Sequence, residues 1–366
     1  MGDKMTKIAE NSVFQYLRWR GDLLFEQDKF NEIDAFILSQ LIYYDYHEIV
    51  NDEKILLKDV LKSYYEINNH RKIKLGLIFP DHMVELGKMI LKCKRYDKVM
   101  VSDYIDIYDK DRKEQFTAIT FHLDELHKVI SFKGTDDTLI GWEEDFNMII
   151  SFPIPAQVSA SNYLTNIFNK YNDSIYEIVG HSKGGNLAMY AGIYADDLIK
   201  EKIYRIYNFD GPGFESDDID VVLYSKIRNK IKTILPSNSV IGMIFNQLGI
   251  VKAVKSNMKP VFQHDGFTWE IDVNKFTRST LSKNSIEFSK SLNNLIGKMD
   301  EKTRKSFCDS LDKYINSLGI KTLSEISTLK TKPISSLKVF TKEDRTIFIE
   351  FVKILLIFRG YDIWKK

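Results

Sequence analysis

The spacing of apolar residues in the first quarter of the chain is that of helices. Residues 31–46 carry apolar side chains at every third or fourth position, and residues 81–93 repeat this pattern. Asp81 directly follows Pro80, a position at which an aspartate can cap the N-terminus of a helix. The pattern therefore predicts a helical region over residues 1–95.

Polar and apolar residues alternate with a period of two between residues 103 and 132, which predicts three strands. The first two strands are expected to form a hairpin across residues 110–112. Helices are expected to separate four further predicted strands, which lie near residues 175–180, 203–209, 231–235 and 250–255. Because strands that alternate with helices form a mainly parallel sheet, residues 96–275 are expected to form an α/β core with helices on both faces.

From about residue 276 the chain is predicted to be helical again. One apolar stripe consists of Ile286, Phe288, Leu292, Leu295 and Met299. Residues 340–358 form a second amphipathic segment. These helices are expected to pack on the core, so that residues 1–366 form one α/β domain with added N- and C-terminal helices. A separate C-terminal domain, joined through a linker at residues 328–336, is the alternative.

Charge and composition exclude several classes of function. The 52 Lys and Arg residues balance 51 Asp and Glu residues and leave a net charge of +1, so no nucleic-acid partner is expected. Cys93 and Cys308 have neither metal-ligand nor redox spacing, and neither a metal nor another cofactor is expected. Without a signal-peptide pattern or a run of ~20 apolar residues, we expect a cytoplasmic protein with no membrane span. The oligomeric state stays open.

The five residues from Gly180 to Gly184 have the pattern Gly-x-Ser-x-Gly, between a predicted buried strand and a predicted helix. In that context a sharp strand-to-helix turn projects a serine hydroxyl from the edge of the sheet towards a general base. Glycines flank the serine because the turn leaves little room for a Cβ atom. Ser182 is therefore the candidate nucleophile of a serine hydrolase.

A serine nucleophile needs a histidine, which in this arrangement follows the serine along the chain. Of the seven histidines, five precede the motif, and His181 lies inside it with a side chain expected to point elsewhere. Only His264 follows, in a polar turn after a predicted strand. His264 is therefore the candidate general base. An exposed histidine without a role is the simpler alternative.

Asp210 is the candidate acid that orients His264. It directly ends a predicted strand, so its carboxylate is expected at the same edge of the sheet as Ser182. Its simpler structural alternative is an aspartate that caps a turn. Asp265 and Asp272 are the other candidate acids.

Two backbone N–H groups are needed to stabilise a transition-state oxyanion. The candidates belong to Lys183, which follows the nucleophile, and to Thr135, in a loop after a predicted strand. A helical stripe that includes Trp142 and Phe146 follows this loop and is a candidate lid or substrate-binding wall. An ordinary core-facing helix is its alternative. The residues expected to receive an apolar acyl group are Trp142, Phe146, Ile149 and Ile150.

Three segments carry a resemblance to a known family. They are Phe132-Lys133-Gly134-Thr135 with Trp142, residues 179–188 around the serine, and Gln263-His264-Asp265. Together they resemble the Mbeg-like family of bacterial α/β-hydrolases, which is itself similar to class-three lipases. The resemblance extends over roughly residues 20–275 and implies an α/β-hydrolase fold, Ser182 as nucleophile and Thr135 in the oxyanion position.

The chain departs from the lipase pattern at one place. Where those enzymes carry their acid, after the next strand, residues 236–240 contain no carboxylate. Asp210 would have to substitute for that acid. The resemblance thus supports the hydrolase class and not true lipase activity.

The sequence predicts a serine hydrolase that cleaves a carboxylic ester or thioester of a small-molecule substrate through an acyl-enzyme on Ser182. A peptidase or an acyltransferase with the same residues is one alternative, because the choice of acceptor depends on the shape of the pocket. The other alternative is a hydrolase-fold binding or scaffold protein without catalysis, which the missing carboxylate after Pro236 favours.

Overall fold

A computed structural model of the protein describes residues 11–68, 80–135, 144, 147–317 and 340–358. Its centre is an eight-stranded sheet whose strands lie side by side in chain order. These strands are β1 (Ile55–Leu56), β2 (Met100–Asp109), β3 (Glu114–His122), β4 (His127–Phe132), β5 (Ile175–His181), β6 (Ile203–Phe209), β7 (Ile231–Pro236) and β8 (Ile250–Val254). A second, two-stranded sheet consists of β9 (Ile271–Asp272) and β10 (Lys275–Phe276).

The central sheet changes from antiparallel to parallel at β4. Strands β1 to β4 pair antiparallel, and β4 to β8 pair parallel. The predicted hairpin is confirmed, since β2 and β3 pair with Asp109 opposite Glu114. The four predicted strands from residue 175 onward are confirmed as β5 to β8, whereas β1 departs from the helical prediction for residues 1–95. Ser182 follows β5, so the nucleophile motif lies well inside the sheet.

Helices pack on both faces of the sheet. One face and its apolar core include α1 (Val13–Arg20), α2 (Glu32–Leu41), α3 (Leu57–Ile67) and α4 (Pro80–Lys92). The other face and its core include α5 (Pro155–Lys170), α6 (Lys183–Tyr194), α7 (Asp197–Lys202) and α8 (Val221–Ile227). A mainly parallel sheet between two such layers, with a nucleophile-type turn after a central strand, is the α/β-hydrolase arrangement expected from the sequence.

The C-terminal helices form further apolar clusters. They are α9 (Lys283–Gly297), α10 (Glu301–Ser317) and α11 (Lys342–Phe358). In α9 the buried side chains are Ser285, Phe288, Leu292 and Ile296, whereas Ile286 of the predicted stripe is exposed. Ser285, the neighbour of Ile286, takes the inward position, and its hydroxyl donates to Ser239 O at 2.8 Å. Among the described residues, no helix has both the length and the apolar character needed to cross a membrane.

Two predicted local features are wrong. Helix α4 begins at Pro80, so Asp81 lies in its first turn and not at the N-cap. Between β7 and β8 the chain forms a single 3₁₀ turn, Ile241–Met243, in place of the expected helix. The connection is not helical because its residues turn back over the end of β6, where they contact Asp210.

A buried ion pair between Arg95 and Asp34 joins the N-terminal helices to the chain that enters β2. Arg95 Nε lies 2.7 Å from Asp34 Oδ1 and Nη2 lies 2.6 Å from Oδ2, and both side chains are fully buried. The hydroxyl groups of Tyr16 and Tyr96 donate to the same carboxylate. Arg95 also donates to backbone carbonyl groups within residues 23–29. All of these partners stabilise two charges that would be unfavourable in the core if left alone.

Replacing Arg95→Met is expected to lower the free energy of unfolding by ~3–5 kcal/mol, because it leaves the Asp34 carboxylate buried without its countercharge. Urea denaturation followed by circular dichroism measures the change. The matched control is Lys98→Met, which removes an exposed pair with Glu26 at 2.7 Å and is expected to leave the urea midpoint nearly unchanged. Equal effects of the two substitutions would contradict a special role for the buried pair.

Candidate active site

Ser182 occupies the sharp turn between β5 and α6. Its backbone has φ 58° and ψ −134°, which residues other than glycine rarely adopt. A Cβ atom on Gly180 would lie 2.1 Å from Gly184 O, and one on Gly184 would lie 2.1 Å from Phe132 O, so only glycine fits at either place. The Ser182 N–H donates to Phe209 O at 2.9 Å. Close contacts with β4 and β6 therefore hold the strained serine, which is partly exposed.

Asp210 and His264 are in direct contact. Asp210 follows β6 and is fully buried, and His264 ends the 3₁₀ segment Pro260–His264 with a side chain that is 15% exposed. His264 Nδ1 lies 2.7 Å from Asp210 Oδ2. When Nδ1–H donates to the carboxylate, Nε2 is the ring nitrogen left to accept a proton. The arrangement is that of an orienting acid and a general base.

The loop after β7 supplies a further donor to Asp210. Ser239 Oγ donates to Asp210 Oδ1 at 2.5 Å, and the backbone of Gly242 lies so close that a Cβ atom there would be 2.4 Å from the same oxygen. Burial raises the pKa of the Asp210 carboxyl above its ordinary value, while the hydrogen bonds with His264 and Ser239 act against that rise. Residues 236–240, which contain no carboxylate, thus contact the carboxylate of Asp210 in the loop after β6.

The other two candidate acids have different surroundings. Asp265 Oδ1 accepts the Phe267 N–H at 3.0 Å, and its Oδ2 lies 3.2 Å from His82 Nδ1 in α4. Asp272 lies in β9 and is exposed. Of the three, Asp210 is the carboxylate that the structure places against the candidate base.

His181 connects the serine turn to the histidine loop. Its Nε2 lies 2.9 Å from His264 O, and the centroids of the two imidazole rings are 4.7 Å apart. Burial, together with the nearby His264, lowers the pKa of His181 to about 3, so a neutral His181 donates Nε2–H to this carbonyl. Contrary to the expectation that it points elsewhere, its side chain packs against His264, because the histidine loop folds over the end of β5. The segment that contains His264 therefore packs against the residue directly before Ser182.

The loop that contains Thr135 also lies against the serine. Strands β4 and β5 pair parallel, so both end at the same edge of the sheet. A Cβ atom on Gly134 would lie 2.6 Å from His181 O and 3.1 Å from Ser182 Cβ. Thr135 follows directly and is buried. Its backbone is therefore close to the serine, as the predicted oxyanion role requires, and the role itself stays a prediction.

Lys183 has a second feature that the sequence analysis missed. Its Nζ lies 2.7 Å from Glu144 Oε2 and 3.0 Å from Gln115 O, and the Lys183 and Glu144 side chains are almost fully buried. Glu144 also accepts the N–H groups of Gln115 and Ala156. This ion pair fixes the residue whose backbone N–H is the first oxyanion candidate. The available signal was a lysine directly after the nucleophile, in a helix with no other charged residue.

The proposed acyl-binding wall is only partly described. Trp142 and Phe146 lie outside the described residues, so their role stays a prediction. Ile149 packs against the apolar cluster of α9, and Ile150 packs against that of α10. Both side chains are partly buried against the C-terminal helices, and their contact with an acyl group stays a prediction. Within the part of the chain that the structure describes, no group of three or more His, Cys, Asp or Glu residues could hold a metal ion.

Comparison with known proteins gives distant structural similarities. The chain is similar to M37 lipase, with 12% identity over 64% of this chain and 89% of that one, at a TM-score of 0.40. It is similar to a mutant form of MDLA from Penicillium cyclopium, with 11% identity over 74% and 88% of the two chains, at a TM-score of 0.38. It is also similar to lipase II from Rhizopus niveus, with 13% identity over 43% of this chain and 67% of that one, at a TM-score of 0.31. None of the curated proteins matches the chain in sequence.

The sequence also matches a protein family. The match extends over residues 90–313, which is more than half of the chain and includes Ser182, Asp210 and His264. The motifs indicated a resemblance over roughly residues 20–275. The family match starts later, at residue 90, and continues through α9 into α10. Both the motifs and this match lead to one assignment: the chain belongs to the Mbeg1-like family.

Proposed function

We propose that this protein is a serine hydrolase that cleaves a carboxylic ester or thioester through an acyl-enzyme on Ser182. The observation that carries the proposal is the 2.7 Å contact between His264 Nδ1 and Asp210 Oδ2, beside the strained turn of Ser182. A buried carboxylate that orients an imidazole near a serine hydroxyl is the arrangement needed to activate that serine.

In the first step, Ser182 Oγ attacks the substrate carbonyl and His264 Nε2 takes the hydroxyl proton. Asp210 stays ionised, holds Nδ1–H and stabilises the imidazolium that forms. The Ser239 hydroxyl, which donates to Asp210, favours the charged carboxylate against the cost of its burial. His264 then returns the proton to the leaving oxygen or sulfur, and the acyl group remains on Ser182.

The negative charge on the carbonyl oxygen would be stabilised by the backbone N–H groups of Lys183 and Thr135. Lys183 begins α6, where the N–H groups of the first turn lack partners within the helix. Its side chain, anchored on Glu144, limits movement of this donor. A water molecule activated by His264 would then attack the acyl carbonyl and release Ser182.

We also propose that the terminal helical regions work with residues 96–275 as one unit. His82 of α4 contacts Asp265, the residue after His264. Ser285 of α9 donates to the backbone of Ser239. These contacts support the proposal because both ends of the chain meet the loops that hold the proposed catalytic groups. Trp142 and Phe146 remain the residues proposed to bind an apolar acyl group.

Labelling with a fluorophosphonate tests the nucleophile. The native protein is expected to take one label per chain, because an activated serine displaces fluoride from the phosphorus of the probe. Ser182→Ala, shown to be folded by circular dichroism, is expected to take none. Intact-protein mass spectrometry measures both. A folded parent that takes no label, or a Ser182→Ala variant labelled like the parent, refutes the hydrolase proposal and favours a binding or scaffold protein.

Replacing Asp210→Asn tests the acid. Hydrolysis of p-nitrophenyl butyrate is expected to slow by orders of magnitude, since the analogous change in a serine protease lowers kcat by ~10⁴. The fold should be retained because the side chains have nearly the same shape. The matched control is Asp265→Asn, whose carboxylate faces His82 and Phe267, and it is expected to lose far less activity. A larger loss of activity in Asp265→Asn than in Asp210→Asn would assign the acid to Asp265.

A further inference from the structure

The side chain of Ser239 meets the Asp210 carboxylate on the oxygen that does not face His264. Its Oγ donates to Oδ1 at 2.5 Å, while His264 Nδ1 lies 2.7 Å from Oδ2. Ser239 follows β7, and Asp210 follows β6. The carboxylate is therefore held between two loops from different parts of the chain.

The Ser239 hydroxyl is fixed before any substrate binds. The residue is 1% exposed, its N–H donates to Pro236 O at 3.0 Å, and its carbonyl accepts the Ser285 hydroxyl at 2.8 Å. In the same connection, the backbone of Gly242 also lies against the carboxylate, since a Cβ atom on Gly242 would be 2.4 Å from Asp210 Oδ1. A donor with so little freedom loses little entropy when it holds a charged partner.

We propose that Ser239 is a positioning residue for catalysis, which holds the Asp210 carboxylate ionised and oriented towards His264. The inference rests on the proposed hydrolase function and goes beyond it, because it assigns a role to the loop that has no acid. The reason is chemical. Asp210 is fully buried, and a buried carboxylate remains charged only where donors replace its water.

The proposal predicts how the activity depends on pH. A donor to the carboxylate lowers the proton affinity of the Asp210–His264 pair, so removing it raises the pH at which this pair takes up a proton and loses activity. Among the described residues, the titratable groups that contact His264 or its neighbour Asp265 are His181, which stays neutral, and His82, which faces Asp265. None of these three loses a partner when the Ser239 hydroxyl is removed.

The first test is Ser239→Ala, read by the rate of fluorophosphonate labelling at Ser182 as a function of pH. We expect the acidic limb of the profile to move to higher pH by about one unit, from the loss of one hydrogen bond to a charged group. We also expect the plateau rate to fall by about tenfold. The matched control is Ser237→Ala, from the same loop, whose hydroxyl contacts Gln263 and not Asp210. Its acidic limb is expected to stay in place.

A second test moves the carboxylate. Because Ser239 Oγ lies 2.5 Å from Asp210 Oδ1, Ser239→Asp would carry a carboxylate into the space that Asp210→Ser empties. The double variant is expected to label roughly tenfold or more faster than Asp210→Ser alone. Ser237→Asp combined with Asp210→Ser has the same composition and is expected to show no recovery. This test remains informative if Ser239→Ala does not fold.

The outcomes separate this inference from the proposed function. A parent protein that takes no label removes the hydrolase proposal and the inference with it. A labelled parent whose acidic limb does not move in Ser239→Ala refutes the positioning role alone. The double variant of Ser239→Asp and Asp210→Ser also provides a test. If its labelling is no faster than that of Asp210→Ser alone, or no faster than that of Ser237→Asp combined with Asp210→Ser, the result counts against the placement of residue 239 beside the pair.

Discussion

Close backbone packing around Ser182 is the constraint on which the rest of the site depends. The serine has a left-handed backbone, and the carbonyl oxygens of Gly184 and Phe132 leave no space for side chains at Gly180 and Gly184. Parallel pairing of β4, β5 and β6 brings the ends of these strands to the same edge of the sheet. The loops after them contain Thr135, Ser182 and Asp210, so the strand pairing decides which residues share that edge, and the close packing holds the serine turn among them.

Buried charges impose the second requirement on this architecture. Asp210 has donors from the loops after β7 and β8, and the Lys183 ammonium has Glu144. A similar arrangement holds Arg95 and Asp34 far from the serine. In each case the cost of burial is offset by partners from separate segments, which makes the position of a charge dependent on several loops at once. At the site, the same dependence ties the position of the Asp210 carboxylate to the loops after β7 and β8.

The predictions that succeeded rested on local patterns. The period-two segments gave the hairpin of β2 and β3, and the alternation with helices gave the parallel strands β5 to β8. Two of the predictions that failed concern places where a tertiary contact accompanies the departure from the pattern. In α9 the inward position is taken by Ser285, whose hydroxyl donates to Ser239 O, and the connection after β7 contacts Asp210 through Ser239.

By itself, the sequence determined the class of fold, the serine turn and the one histidine available after it, because these follow from periodicity, local backbone chemistry and chain order. It reduced the acid to a short set of candidates. Only the tertiary structure decided that Asp210 faces His264, that His181 packs on that histidine, and that Ser239 and Glu144 support the site. These contacts join residues from distant segments, and their strength comes from burial and short distances that no local pattern encodes.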